Sequence, residues 1–391
     1  MDGAAGWPLP ERNNRTCLEL ARKPNLDSLA REGVVGLVRT VPEGMEPSSA
    51  IACLSVLGYD PKVYYRGRSG IEARSLGIPL KKGEVTFRCN LVAVKDGRMW
   101  SYNCGDIKDT DSHPLINAVQ ARLGGERFRF HPGVGYRHIL VIKDGKEALG
   151  AHCTPPHDIP DKPIKDYLPK GPGSGILRDL MMRSQDVLKD HPVNRARQSR
   201  GEVPASMIWL FWPSAEIPEL SPFQKRFGLR AAMTSGVDLL RGLAKMAGLT
   251  VLEIDGVTAG LDNDYAAQAE GALKALKDHD LVVVHVESPD ESGHAGRIDD
   301  KIASIEAIDR EVIGRFMSFA KKKDWRLLIM PDHPTPIAIR THCPDPVPFV
   351  VWGEGFPASG ARSYSEADGE KSGVFVEAGH TLMDRFAGGW L

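Results

Sequence analysis

Three short clusters of acidic and histidine residues lie in the last third of the chain, and each adjoins a run of apolar residues. Asp290 and His294 stand in Ser-Pro-Asp-Glu-Ser-Gly-His, Asp332 and His333 in Met-Pro-Asp-His-Pro-Thr-Pro, and His342 in Arg-Thr-His-Cys-Pro. The runs Leu281 to Val286 and Leu327 to Met330 precede the first two, and Pro348 to Trp352 follows the third; all three read as buried strands. In an open parallel sheet, ligands bind in the loops beyond the carboxyl ends of the strands. Two carboxylates and three imidazoles on such loops form a mixed oxygen and nitrogen donor set that suits Zn or Mn. Any one cluster alone has a plainer reading, because loop aspartates commonly close Asx-turns or cap helices. Three clusters beside three strands predict a two-metal phosphoryl-transfer site.

The rest of the chain supplies the frame. Strand and helix signals alternate from about residue 205 to the end, which predicts a mainly parallel α/β sheet flanked by helices. The apolar positions Ile302, Ile305, Ile308, Val312 and Phe316 mark the core-facing stripe of a helix over residues 299–319. Between residues 61 and 204 the texture changes to short strands, Gly and Pro turns and scattered Arg and His, which predicts an inserted, smaller α+β domain. The predicted division is therefore a discontinuous metal-binding catalytic domain, residues 1–60 and 205–391, and an insert of residues 61–204.

Composition narrows the function classes. The 391 residues include 51 acidic and 50 basic side chains, a balance that argues against a nucleic-acid groove or an anionic membrane surface as partner. No apolar run approaches the roughly 20 residues a membrane helix needs, and the first residues do not read as a signal peptide, so a cytoplasmic location is expected. Six cysteines without a Cys-x-x-Cys pair are too sparse for a disulfide framework and read as reduced thiols.

A nucleophile candidate stands near the N-terminus. The turn-rich segment Pro42 to Ser49 opens an apolar helix that ends near Gly58, so Ser49 falls at or just before a helix N-terminus. Free backbone N–H groups and the helix dipole there favour an anion, and Ser48 or Ser49 also serves as an ordinary cap.

With these pieces assembled, the sequence resembles the archaeal-type 2,3-bisphosphoglycerate-independent phosphoglycerate mutases of the alkaline phosphatase superfamily. The resemblance runs through Asp2-Gly3, Thr40 to Gly44, Leu54 to Pro61, Phe87 to Asn90, Gly135 to His138, Pro155 to Asp158, His191 to Asn194 and the three clusters. It implies an alkaline-phosphatase-like fold with the insert as a substrate-binding lid. It also implies two divalent ions (Mn, Zn, Co or Mg), one on Asp290, His294 and His342, the other on Asp2, Asp332, His333 and Ser49. The implied reaction interconverts 3-phosphoglycerate and 2-phosphoglycerate through a phosphoserine at Ser49, without 2,3-bisphosphoglycerate. Candidate substrate ligands in matching segments are Arg68, Arg88, Arg137, His157, Asp158 and Arg230. The same site would serve a phosphomonoesterase or a homoserine-kinase-like phosphotransferase if the acceptor changed, and a non-catalytic scaffold if ligands were lost. The small-molecule substrate is the expected partner, and assembly into identical copies stays open.

Two departures stand out. Family members usually begin with an apolar strand that delivers the first Asp-Gly, whereas Met1 here directly precedes Asp2; either a start assigned late leaves that strand out, or the chain dispenses with it. The family's Gly-Ser-Asp around the nucleophile reads Ser48-Ser49-Ala50 here, without the carboxylate.

Overall fold

The computed structural model describes residues 1–216, 218–320 and 324–389. In chain order its strands are β1 (Val34–Val38), β2 (Val85–Lys95), β3 (Arg98–Ser101), β4 (Phe128–His131), β5 (Arg137–Ile142) and β6 (Met207–Ser214). These are followed by β7 (Ala231–Thr234), β8 (Thr250–Val251), β9 (Leu281–Val284), β10 (Arg326–Ile329), β11 (Val347–Gly353) and β12 (Phe375–Val376). Two compact units result, one of Met1–Tyr65 with Glu219–Leu391 and one of Arg66–Pro218.

The first unit contains two separate sheets rather than one. β7 pairs in parallel with both β8 and β9, in the order β8-β7-β9. The second sheet has the order β10-β11-β1-β12, in which β11 runs antiparallel to both neighbours and only β1 and β12 are parallel. The expected mainly parallel arrangement therefore holds for the first sheet and not for the second. The physical reason is the connection: β10 reaches β11 through an irregular loop without a crossover helix, and a parallel return needs such a crossover. That same loop carries Asp332, His333 and His342.

The core of this unit forms where apolar strands meet apolar helix faces. Val35, Phe349, Val350 and Val351 pack with Leu26 and Leu29 of the helix Pro24–Glu32 and with Ile305, Ile308 and Val312. The predicted stripe thus faces inward, on a helix that runs from Ile298 to Phe319 with a widened turn at Ile308–Ile313.

In the second unit every strand pair is antiparallel. The long β2 is bordered by β5 on one side and β6 on the other, with β4 beyond β5. Helices Asp109–Leu123 and Ser174–Leu188 bury Leu115, Ile116, Val119, Leu177, Leu180 and Met181 against Phe87, Cys89 and Leu91 of β2. An antiparallel sheet with its helices apart from it in sequence is an α+β unit. The segment from 205 onward, expected to resume the catalytic sheet, belongs here instead up to residue 218: β6 pairs with β2 from Thr86 to Val92 and fills the core with Trp209 and Phe211. Its apolar run looks the same from either side of the boundary, and only long-range pairing decides.

Candidate metal centre

The N-terminal residues are held by the ends of two strands. The Asp2 amide donates to the Val286 carbonyl just past β9 (2.8 Å), and the Met1 ammonium donates to the Met330 carbonyl just past β10 (3.2 Å). Gly3 follows at φ +57, and its amide donates to Asp332 Oδ1 (3.1 Å). A Cβ at Gly3 would stand 2.4 Å from Asp290 Oδ1 and 2.6 Å from Thr335 Oγ1, so only glycine lets the two loops approach. Beneath them the fully buried Lys301 donates to the carbonyls of Ala5 (3.1 Å) and Thr335 (2.8 Å), tying the first residues to the loop after β10. Asp2, which sequence alone leaves at a frayed end, is thereby fixed with 0% exposure.

The structure brings all seven expected ligand residues of this unit together. His333 Nε2 lies 3.1 Å from Ser49 Oγ, 3.3 Å from Asp332 Oδ2 and 3.5 Å from Asp2 Oδ1. His294 Nε2 lies 3.1 Å from Asp290 Oδ2 and 2.9 Å from His342 Nε2, and His342 Nε2 lies 3.5 Å from Asp290 Oδ1. Both outer imidazoles use Nδ1 on the backbone: His294 on the Arg340 carbonyl (3.0 Å) and His342 on the Pro47 carbonyl (3.3 Å). A ring that donates from Nδ1 presents the lone pair of Nε2, the usual second contact behind a metal-binding histidine. Thr335 Oγ1 donates to Asp290 Oδ1 and so orients that carboxylate.

Three overlapping triads offer ligand atoms within 4.8 Å of one another: Asp290, His333 and His342; Asp2, Asp332 and His333; and Asp2, His285 and Glu287. The first differs from the expected partition by taking His333 in place of His294. His294 Nε2 nevertheless contacts both Asp290 and His342. His285 and Glu287 were not anticipated. A histidine interrupting the otherwise apolar Leu281–Val286 run was the available signal, because a buried strand tolerates a polar side chain only when something partners it. Here His285 Nε2 meets Asp2 Oδ2 at 2.7 Å, and its Nδ1 meets Ser235 Oγ at 3.0 Å.

Electrostatics show what the cluster lacks. Among the described residues, the ion pairs of Asp2, Asp290 and Asp332 are all with histidines. Burial, then the neighbouring Asp2 carboxylate, pushes Asp332 up to about 6 and Glu287 up to about 12. Burial would also raise Asp290, but hydrogen bonds from His294 and His342 hold it below the ordinary value, and the same Asp290 contact lifts His294 to about 9. Asp2 Oδ1 and Glu287 Oε2 are buried without a hydrogen-bond partner. Buried carboxylates with orphaned oxygens are costly unless cations compensate them, and this donor set fits divalent metal ions.

Ser48 and Ser49 divide their work. Ser48 is the N-cap of the helix Ser49–Val56, its hydroxyl accepting from the Ile51 amide, while the Ser49 hydroxyl faces His333. Ala50, in place of the family's usual aspartate, is buried.

The second unit gathers most of the expected anion ligands. Gly67, at φ +119 and pressed against the Pro213 carbonyl, starts the helix Arg68–Ser75. Arg68 Nε meets Glu72 Oε1 at 2.9 Å, Arg88 from β2 pairs with Glu72 Oε2, and the Arg68 guanidinium lies 4.3 Å from the centroid of Trp212. His157 packs edge-on against Trp212 (5.6 Å) and Tyr102 (6.2 Å), Tyr102 against Tyr136, and Arg137 lies over Tyr136. Asp158 stays 3.8 Å from His157. Glu72 and Trp212 were missed, since neither has a sequence pattern beyond chance. Arg230 does not join a site: it sits ahead of β7, in the first unit, exposed and paired with Asp280 ahead of β9, whereas the carboxylates lie beyond the other end of that sheet.

An α/β protein whose buried carboxylates and imidazoles converge on a serine at a helix N-terminus belongs to the class of metal-dependent phosphoryl-transfer proteins. Residues 30–194 match the family model described as 2,3-bisphosphoglycerate-independent phosphoglycerate mutase. The chain is 44% identical over 384 residues to the 2,3-bisphosphoglycerate-independent phosphoglycerate mutase of Methanothrix thermoacetophila, covering 98% of this chain and 96% of that one. It is 43% identical over 389 residues to a probable enzyme of the same name from Geobacter sulfurreducens, covering 98% and 97%. Among solved structures, the PH0037 protein of Pyrococcus horikoshii superposes with a TM-score of 0.81 at 26% identity, covering 98% of this chain and 94% of that one. The cofactor-independent phosphoglycerate mutase of Thermoplasma acidophilum shares the fold, with a TM-score of 0.66 at 24% identity over 99% and 96%. The chain belongs to the 2,3-bisphosphoglycerate-independent phosphoglycerate mutase family.

Proposed function

We propose that this chain is an isomerase that interconverts 3-phosphoglycerate and 2-phosphoglycerate by passing the phosphoryl group through Ser49. The observation that carries the reading is the Ser49 hydroxyl, at the first residue of a helix and 3.1 Å from His333 Nε2, amid buried carboxylates. Asp290, His294 and His342 would hold one divalent ion, and Asp2, Asp332, His333 and Ser49 the other. Bound there, the ions supply positive charge for the transferring phosphoryl oxygens and lower the pKa of a hydroxyl. Backbone N–H groups of the helix Ser49–Val56 receive the phosphoryl oxygens on Ser49. The bound glycerate then turns and its other hydroxyl recovers the group.

The inserted unit acts as the lid that excludes water, and Arg68, Arg88, Arg137, His157 and Asp158 hold the substrate's carboxylate and phosphate. Arg230 is left out of this set because its guanidinium is committed to Asp280. The convergence of carboxylates and imidazoles on Ser49 supports a reading of the chain as a member of the alkaline phosphatase superfamily. Donor chemistry admits Mn, Zn, Co and Mg alike. No helix among the described residues is long and apolar enough to cross a membrane. The reading places the reaction in the cytoplasm, on a small soluble substrate.

The experiment is a mutase assay with Mn or Co added and 2,3-bisphosphoglycerate omitted. Interconversion lost on chelation supports the reading; release of inorganic phosphate at a comparable rate makes the protein a phosphomonoesterase, and failure to take up metal makes it a scaffold.

A further inference from the structure

The residues just past β9 hold Asp2 twice. Its backbone amide donates to the Val286 carbonyl (2.8 Å), and its Oδ2 lies 2.7 Å from Nε2 of His285. His285 is itself fixed from two sides. Its amide donates to the Thr234 carbonyl at the end of β7 (2.9 Å), its carbonyl accepts from Gln268 Nε2 (2.9 Å), and the residue is buried.

Which ring nitrogen carries the proton follows from Ser235. The Ser235 hydroxyl oxygen accepts from the Val237 amide (3.0 Å), the residue is 2% exposed, and a buried O–H needs an acceptor of its own. Among the described residues the acceptor within reach is His285 Nδ1, 3.0 Å away. Nδ1 is therefore the bare nitrogen, and Nε2 bears the proton. Two carboxylates face that N–H, Asp2 Oδ2 at 2.7 Å and Glu287 Oε2 at 3.5 Å, and the shorter distance assigns it to Asp2. The second oxygen of Asp2 is buried, has no hydrogen-bond partner among the described residues, and lies 3.5 Å from His333 Nε2.

We infer that His285 is the positioning residue of Asp2: the relay from Val237 through Ser235 and His285 engages Oδ2 and turns Oδ1 alone toward the ion shared with Asp332, His333 and Ser49. This rests on the reading of Asp2 as a ligand of that ion. Asp2, His285 and Glu287 come close enough to one another to hold an ion themselves. An imidazole that donates from Nε2 has no lone pair there to give a metal, so the triad orients a ligand and is not a third site. A carboxylate bound through one oxygen takes one coordination position where a bidentate one takes two, which leaves room at the ion for the Ser49 hydroxyl and a phosphoryl oxygen.

The unsubstituted protein, stripped of metal and then loaded with Zn, is read by long-range proton–nitrogen correlation spectra of isotope-labelled histidine, with the His285 signals identified by their loss in His285→Gln. A proton on Nε2 and a bare Nδ1 are expected in both states. A proton on Nδ1, or an Nε2 that gives up its proton when Zn is added, overturns the inference. Zn uptake is then counted by elemental analysis and titrated by calorimetry. His285→Gln, whose amide still donates toward Oδ2, should bind two ions with Kd values within about threefold of the unsubstituted protein. His285→Leu should bind one ion as before and the other about 10–100-fold more weakly. Circular dichroism checks that the leucine variant is folded without metal; if it is not, the spectra of the unsubstituted protein decide alone. Equal binding by all three chains, or a third ion in the unsubstituted one, overturns the inference. Absence of uptake by the unsubstituted protein overturns the two-ion reading itself and the inference with it, and the ion count of that protein tells the two failures apart.

Discussion

The two units hold charge in opposite ways. In the first, Asp2, Asp290 and Asp332 are buried together with histidines as their ion-pair partners, and one oxygen of Asp2 and one of Glu287 have no hydrogen-bond partner among the described residues. In the second, the Glu72 carboxylate is shared between Arg68 and Arg88, leaving that trio with one positive charge in excess against the Trp212 ring. One cluster calls for cations, and the other has positive charge to offer an anion. A buried charge set that does not balance within itself marks the place where a ligand completes it.

The largest expected effect tests the negative cluster at its nucleophile. Ser49→Ala should lower phosphoryl transfer at least about a thousandfold while metal uptake and folding persist, because a hydroxyl is lost that no neighbour replaces. A single-turnover assay with radiolabelled substrate checks it; retained labelling of the protein would place the phosphoryl group elsewhere. Withdrawal of metal comes next. Chelation should stop turnover and lower the unfolding temperature, and restoring the ion at a hundredfold excess over its Kd should return about 2.7 kcal/mol of stability. A melting curve indifferent to metal would mean that the carboxylates are compensated in another way.

The positive cluster is broken by Arg68→Ala. Glu72 keeps Arg88, so the fold stands, and loss of a charged hydrogen bond to the substrate of about 1.5–3 kcal/mol should raise KM roughly ten- to a hundredfold, with a smaller change in kcat. An unchanged KM would remove Arg68 from the substrate set. The Glu72→Gln variant sharpens the comparison through pH. Burial alone would raise the Glu72 pKa, but Arg88 and Arg68 hold it below the ordinary value of 4.5. Its contribution to stability is therefore fully present above pH 4.5 and is lost as pH falls through the folded value. Urea unfolding of Glu72→Gln should fall below the parent at pH 7 and converge with it in acid. A constant gap across pH would show that packing, not charge, is what the carboxylate supplies.

How much of this was readable before any fold was known depends on whether the determining interaction is local. The ligands Asp290, His294, Asp332, His333 and His342 sit at fixed offsets from apolar runs, so strand periodicity placed them just outside strand ends, although Asp290 and His294 were expected on a loop and lie on the short helix Ser288–His294. Arg230 matched a family segment equally well, yet its neighbour Asp280 lies 50 positions away and takes its charge. The same blindness to distance put β6 in the wrong unit and hid Glu72 behind an ordinary helical sequence. His285 was visible as a polar break in an apolar strand, but its partner, Asp2, is 283 residues distant.

The smallest effect separates the two adjacent serines and bears on which hydroxyl belongs to the negative cluster. Ser48 Oγ accepts from the Ile51 amide at 3.4 Å, a long bond, and a capping serine replaced by alanine costs about 1 kcal/mol. Ser48→Ala should therefore lower stability by no more than that and leave turnover within about twofold of the parent, since Ser49 keeps its place beside His333 once the helix is formed. Denaturant unfolding and the coupled assay, run on the same preparation, read both quantities. If Ser48→Ala instead abolished transfer while Ser49→Ala did not, the cap and the nucleophile would exchange roles, and the carboxylates would have to be completed around a hydroxyl that now points into the helix.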